Sequence, residues 1–292
     1  SFVLVGATLL IGIVRWRMAL KLQGLPLSFV RTGEISLVAH FFNSFLLGST
    51  GGDLLKAYYA ARETHHLKAE AVTTVFVDRL IGLFSMLLFA CLMMVPNYRL
   101  LLEHEKLAAV SGLVVAMLLA CGGLVAFSFW GGLDGFLSRW SHLIQRVPKA
   151  EGIKRSLIAC RRYGKSPGFL LRALSWSMLL NLICVLQAAA LCRGLGINIP
   201  FMALSVIIPI IICISALPIT PSGLGLRENL FVLMLAAPEI NVDATRALSL
   251  SLLVFFGSLA WSMLGGLVYA CLRQSQHLDE IDRDEDATVE KP

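Results

Sequence analysis

Charge is scarce in this chain. Asp, Glu, Lys and Arg supply 15% of its 292 residues, against 57% hydrophobic residues. Mean hydropathy is +0.76. Several signatures are also missing. There is no GxxxxGK[ST] loop, which argues against ATP hydrolysis by this chain. No GxSxG or HExxH motif occurs. The spaced aspartates of lipid synthases, with their Asp-Gly and Ala-Arg pair, are absent. None of the seven cysteines (Cys91, Cys121, Cys160, Cys184, Cys192, Cys213 and Cys271) sits in a CxxC pair. All but Cys160 lie in apolar segments, so they read as small packing residues. His65 and His66 are adjacent but lack a ligand at helical spacing, and no metal site is expected there. No cofactor and no nucleic-acid partner are expected. The basic excess behind the net charge of +6 is accounted for by loop placement.

What is present is apolar sequence in long runs: Ala71–Val95, Leu107–Trp130, Phe169–Cys192 and Leu248–Leu272. Each can cross a hydrocarbon core of about 30 Å, which takes roughly 20 helical residues. The fold class expected is an all-α integral membrane protein, a polytopic helical bundle. Residues 2 to 14 are apolar but would rise only about 20 Å as a helix. They lack a basic n-region and a small-residue cleavage site, which argues against a signal peptide. They read as the tail of a spanning helix whose start is missing, ending at Arg15-Trp16-Arg17 on the cytoplasmic side with an interfacial aromatic.

Loop charge sets the orientation. From Gly131 to Arg172 there are nine basic residues and two acids, Asp134 and Glu151. The positive-inside rule makes this stretch cytoplasmic. Leu133, Phe136, Leu137, Trp140, Ile144 and Val147 follow helical spacing. They read either as an interfacial helix or as a soluble cap over the bundle. The domain expected is a transmembrane unit over 1–272, with a cytoplasmic amphipathic loop at 131–168. An acidic tail at 273–292 lacks apolar periodicity and reads as disordered. With this anchor, Ser28–Leu47 enters from the cytoplasm and Leu54–Arg62 returns, whereas Phe201–Leu217 enters from outside and Leu226–Ala237 returns. Two re-entrant broken-helix pairs of opposite sense make an inverted repeat.

The breaks between those pairs are glycine-rich: Gly48-Ser49-Thr50-Gly51-Gly52-Asp53 and Pro218-Ile219-Thr220-Pro221-Ser222-Gly223-Leu224-Gly225. Each opens a helix, and helix N-termini offer free N–H groups and partial positive charge to an anion. Lys56, on the face of Asp53, and Arg227 would be the partner cations. Asp53 is either a site residue or an N-cap, worth about 1 kcal/mol. Glu228 either serves the site or only stabilises the first turn of its helix. Arg79 either reaches Asp53, Glu228 or a lipid phosphate, or snorkels to the interface. Thr32, Ser36, His40 and Asn43 form one polar stripe, which lines a wet cavity or bonds between helices. Asn181 and Gln187 invite the same two readings.

Four ordered segments resemble a known family: Ile13-Val14-Arg15-Trp16; Phe41 to Gly48 leading to Gly51-Gly52-Asp53; Val77-Asp78-Arg79-Leu80-Ile81-Gly82-Leu83; and Leu217 to Gly225 with Glu228. They look like the lysylphosphatidylglycerol synthase transmembrane region, the flippase-like domain found in multiple peptide resistance factors and in stand-alone prokaryotic proteins. Leu47-Gly48-Ser49 departs from the family's Pro-Gly pair. The resemblance implies a multi-pass protein of a prokaryotic cytoplasmic membrane. It would handle aminoacyl-phosphatidylglycerol or polyprenyl-phosphate-linked sugars, with Gly51, Gly52, Asp53, Gly223, Gly225 and Glu228 at the site. The soluble aminoacyltransferase domain of two-part members has no counterpart in this sequence. The chain is therefore expected to be a lipid flippase rather than an enzyme. The alternative is a membrane component of a lipid-modifying system, partnered by an aminoacyl- or glycosyltransferase.

Overall fold

Backbone groups in hydrocarbon have no water to bond, so each apolar segment must satisfy its own as a helix. The computed structural model follows that rule. It describes residues 1–45, 51–64, 67–98, 105–130, 150–216, 220, 223–237 and 240–289. Among these there are ten α-helices and no strand. They are α1 (Phe2–Leu22), α2 (Phe29–Phe45), α3 (Gly51–Arg62), α4 (Lys68–Met94), α5 (Glu105–Trp130), α6 (Ala150–Gly164), α7 (Pro167–Gly194), α8 (Phe201–Ser215), α9 (Leu226–Leu235) and α10 (Ala244–Val289). A 3-10 turn, Val95–Asn97, follows α4. Five stretches are long and apolar enough to cross a membrane: Phe2–Leu22, Lys68–Met94, Ala108–Phe127, Pro167–Gly194 and Ala244–Leu272. The chain is a polytopic helical membrane protein.

The first of these corrects the sequence reading. The apolar run does not stop at Arg15; α1 continues for 21 residues to Leu22. Arg15 and Arg17 do not end the helix because Asp78, Ser177 and the Leu27 carbonyl meet their guanidinium groups. Trp16 is not an interfacial anchor: it is 0% exposed, and its indole N–H donates to Thr74 Oγ1 at 3.1 Å. α10 extends to Val289, past the apolar span that ends at Leu272. The amphipathic stretch 133–147 and the His65-His66 pair lie outside the described residues.

Three clusters hold the bundle. The largest joins the second half of α4 to α5, α7, α8, α9 and α10. Here α8 is buried nearly all round, as its lack of a polar face requires. A second cluster sets Ala19 of α1 against Val77, Leu80 and Ile81 of α4, Cys160 and Tyr163 of α6, and Ala173 of α7. The third groups Trp16, Leu20, Ile35, Ala60 and Val75 from α1 to α4. Helices approach closely where side chains are small. A Cβ on Gly265 would lie 2.1 Å from the Leu37 carbonyl oxygen, so α2 and α10 cross backbone to backbone.

Helix α6 is fastened to the end of α1 by two bonds. Gln23 Nε2 donates to the Ala159 carbonyl at 2.8 Å, and the Tyr163 hydroxyl donates to the Ala19 carbonyl at 3.0 Å. Cys160 sits between them, and burial pushes its thiol up to about 11. At pH 7 to 8 it is therefore protonated and enclosed. Cys160 is expected to resist maleimide in the folded protein and to react once the chain is denatured; rapid labelling of the folded form would contradict this packing.

Candidate functional site

A cavity of about 470 Å³ opens among α1, α2, α3, α4, α7, α8, α9 and α10. Its apolar wall includes Leu83, Met86, Ile208, Ile211, Phe231 and Val254. Its polar wall carries Arg15, Arg79 and Arg227 with Asp53 and Asp78, beside His40, Asn43, Gln187 and Ser258. Arg15 pairs with Asp78, Arg79 with Asp53 and Arg227 with Glu228; with Lys56, which shares Asp78, four cations meet three carboxylates and the cluster carries a net positive charge.

The charges come in three sets. The deepest joins α1, α3 and α4. Arg15 Nε lies 2.8 Å from Asp78 Oδ1, and Arg15 Nη1 donates to Ser177 Oγ at 2.8 Å. Lys56 Nζ is 3.4 Å from the other oxygen of Asp78 and 4.2 Å from the centre of the Trp16 ring. Gly82 leaves room for Arg15; a Cβ there would meet Nη2 at 3.2 Å. The second set lies between α9 and α10. Arg227 pairs with Glu228, its Nε donates to Ser251 Oγ at 3.2 Å, and its guanidinium sits 4.8 Å from the centre of the Phe255 ring. The third is looser. Arg79 Nε is 3.6 Å from Asp53 Oδ2, and these side chains are 35% and 25% exposed. At that length the pair attracts by charge but is beyond an ordinary hydrogen bond.

The residues named from sequence divide accordingly. Asp53, Arg79, Arg227, His40 and Asn43 line the cavity. Thr32 and Ser36 do not; their hydroxyls turn back onto the Ser28 and Thr32 carbonyls at 2.7 and 2.8 Å. Such back-bonding is how a hydroxyl satisfies itself inside an apolar bundle. His40 Nε2 lies 3.3 Å from the Ser258 carbonyl. Gln187 lines the cavity, whereas Asn181 is buried off it. Lys56 is buried near Asp53, as its spacing predicts, and its ammonium also meets Asp78.

The helix N-termini also differ from expectation. At α9 the position for an outside anion is taken by the chain itself: the Gly225 N–H donates to Glu228 Oε2 at 2.6 Å. This is the Glu half of a capping box, so Glu228 stabilises its helix start and is not on the cavity wall. Gly223 and Gly225 have φ of +70° and +81°, the left-handed turns that only glycine adopts cheaply. At α3, Gly52 donates its N–H to Asn43 Oδ1 at 2.8 Å. A Cβ on Gly52 would lie 1.8 Å from the Ala39 carbonyl oxygen. Gly223 and Gly225 shape turns and Gly52 a close crossing; neither these three nor Gly51 line the cavity. Asp53 is the third residue of α3 rather than the residue before it, so its carboxylate adds charge to the first turn and faces Arg79.

Sequence reasoning did not place Arg15 at the site; it read it as the cytoplasmic end of the first helix. A signal did exist: Asp78 lies inside an apolar run, and an acid there needs a cation. Among the described residues no group of His, Cys, Asp and Glu is placed to hold a metal.

No curated protein and no solved structure matches the chain. The family described as the lysylphosphatidylglycerol synthase TM region matches residues 1–266, a span that takes in every residue on the cavity wall, and the chain belongs to that family.

Proposed function

We propose that the protein translocates a lipid with a phosphate-bearing polar headgroup, and that the cavity is where the headgroup resides in transit. The observation that carries this reading is a net positive charge cluster in a cavity with an apolar wall. Four cations, Arg15, Lys56, Arg79 and Arg227, meet three carboxylates, Asp53, Asp78 and Glu228, and isoleucines of α8 line the same cavity. A phosphate supplies the missing negative charge, and guanidinium forks match its oxygens in pairs. An acyl or prenyl chain suits the apolar side.

The three ion-pair sets suggest different roles. Asp78 is bonded to both Arg15 and Lys56, which fixes the deep end. Glu228 and Ser251 hold Arg227 in place. The long, partly open Arg79–Asp53 pair is the one an incoming phosphate displaces most cheaply, which frees Asp53 to meet a cationic headgroup group. Movement follows from α3 and α9. With 12 and 10 residues they rise about 18 and 15 Å, too short to cross. In this reading each is the returning half of a re-entrant pair, one entering from each side, so the site is reachable from both leaflets in turn. Aminoacyl-phosphatidylglycerol and polyprenyl-phosphate sugars both fit the chemistry, loaded by a separate transferase.

Reconstitution tests the reading. Liposomes carrying the purified protein are expected to move a labelled acidic phospholipid between leaflets faster than protein-free liposomes. New lipid product formed without movement would favour the transferase-component alternative. The inverted arrangement has its own check: a cysteine placed at position 280 is expected to label only from the cytoplasmic side, and external labelling would overturn it.

A further inference from the structure

Away from the cavity, the outer face of α7 carries a shallow groove lined by Leu171, Arg172, Ser175, Trp176 and Leu179. Their spacing places them on one stripe along the first turns of the helix. Leu171 is 67% exposed and Trp176 is 38% exposed, and Leu179 is also exposed. The Ser175 hydroxyl is satisfied by the Leu171 carbonyl at 2.9 Å, so Arg172 and the Trp176 indole are the groove's outward polar groups. The groove adjoins the start of a membrane-length helix. Just before it come Arg162 at the end of α6, and Lys165 in the connecting turn, both exposed.

We infer that this groove holds an anionic phospholipid of the surrounding leaflet, at a site separate from the translocation cavity. An exposed Arg in the first turns of a span with an exposed Trp one turn further in is an arrangement that meets a lipid: the guanidinium reaches the phosphate and the indole lies along the upper acyl chain. The leucines above and below accept the upper acyl chain. Charge decides between anionic and zwitterionic lipid. Between residues 158 and 172 four basic residues, Arg161, Arg162, Lys165 and Arg172, stand with no acid, which makes this end of α7 cationic. Each basic group near a charged surface is worth about 1 kcal/mol, which corresponds to roughly a fivefold preference. The occupant is therefore a lipid with net negative charge.

Brominated lipids provide the test, because bromine quenches tryptophan on contact. The signal of Trp176 is isolated as the difference between wild type and Trp176→Phe, both full-length and reconstituted. In mixed bilayers this difference signal is expected to be quenched at about fivefold lower mole fraction of brominated phosphatidylglycerol than of brominated phosphatidylcholine. Arg172→Gln is expected to erase most of that preference while leaving quenching by phosphatidylcholine intact. Arg172 does not line the cavity, so lipid translocation serves as the control for a folded variant. Equal quenching by the two lipids in wild type would overturn the inference. So would the absence of quenching by either, which would mean that a second copy of the chain covers the groove.

Discussion

Asp78→Ala is expected to destabilise the folded chain by about 3–5 kcal/mol, because it strands two buried cations. Arg15 and Lys56 both spend their charge on Asp78, at 2.8 and 3.4 Å, and all three side chains are about nine-tenths buried. Removing the carboxylate leaves two positive groups facing each other in an apolar bundle. Thermal unfolding in detergent, followed by loss of monodisperse protein, measures the effect. The comparison that isolates charge is the triple replacement of Arg15, Lys56 and Asp78 by Met, Met and Leu. It removes every member together, so it is expected to be milder than Asp78→Ala alone. If Asp78→Ala left stability unchanged, the triad would not anchor α1, α3 and α4.

Gly52→Val is expected to cost about 3 kcal/mol or more, at the upper end for overpacking. The atom that its Cβ would strike is the Ala39 carbonyl oxygen at 1.8 Å, with Asn43 Cγ at 2.8 Å. Neither can swing aside like the end of a flexible chain. Helices α2 and α3 would have to part, and the bond from the Gly52 N–H to Asn43 Oδ1 would break. Gly112→Val makes a fair control, since a Cβ at Gly112 meets nothing within 4 Å. Folded yield and unfolding temperature are expected to fall for Gly52→Val and to hold for Gly112→Val. Equal behaviour would mean that α2 and α3 do not pack as described.

Which parts were legible in the sequence follows from how each is encoded. Membrane helices were legible because composition alone encodes them: four runs named from sequence fall on α4, α5, α7 and α10. The short helices were legible because glycine and proline mark where a helix restarts. α1 was cut short because Arg15 and Arg17 look like loop charges when read along the chain. Their acceptance inside a helix depends on Asp78, Ser177 and the Leu27 carbonyl, which lie on other segments. The polar stripe of α2 shows the same limit. Spacing puts Thr32, Ser36, His40 and Asn43 on one side, but only the latter two reach the cavity. The depth of the bundle at each turn decides that, and a single helix does not encode it. For Glu228 the sequence leaves two readings open, a site role or stabilisation of the first turn of its helix, and the capping bond to Gly225 is the observation that bears on the second.

The measurement that bears most directly on the cavity is leaflet-to-leaflet movement of a labelled acidic phospholipid in liposomes. It compares wild type with Arg79→Gln, Arg227→Gln and Asp53→Asn, each first shown to be folded by its unfolding temperature. Losing one charge-assisted contact to the passing phosphate is expected to slow Arg79→Gln and Arg227→Gln by about tenfold or more. Asp53→Asn is expected to alter lipids with cationic headgroups most. Wild-type rates in both arginine variants, at wild-type stability, would contradict a lipid path through this cavity.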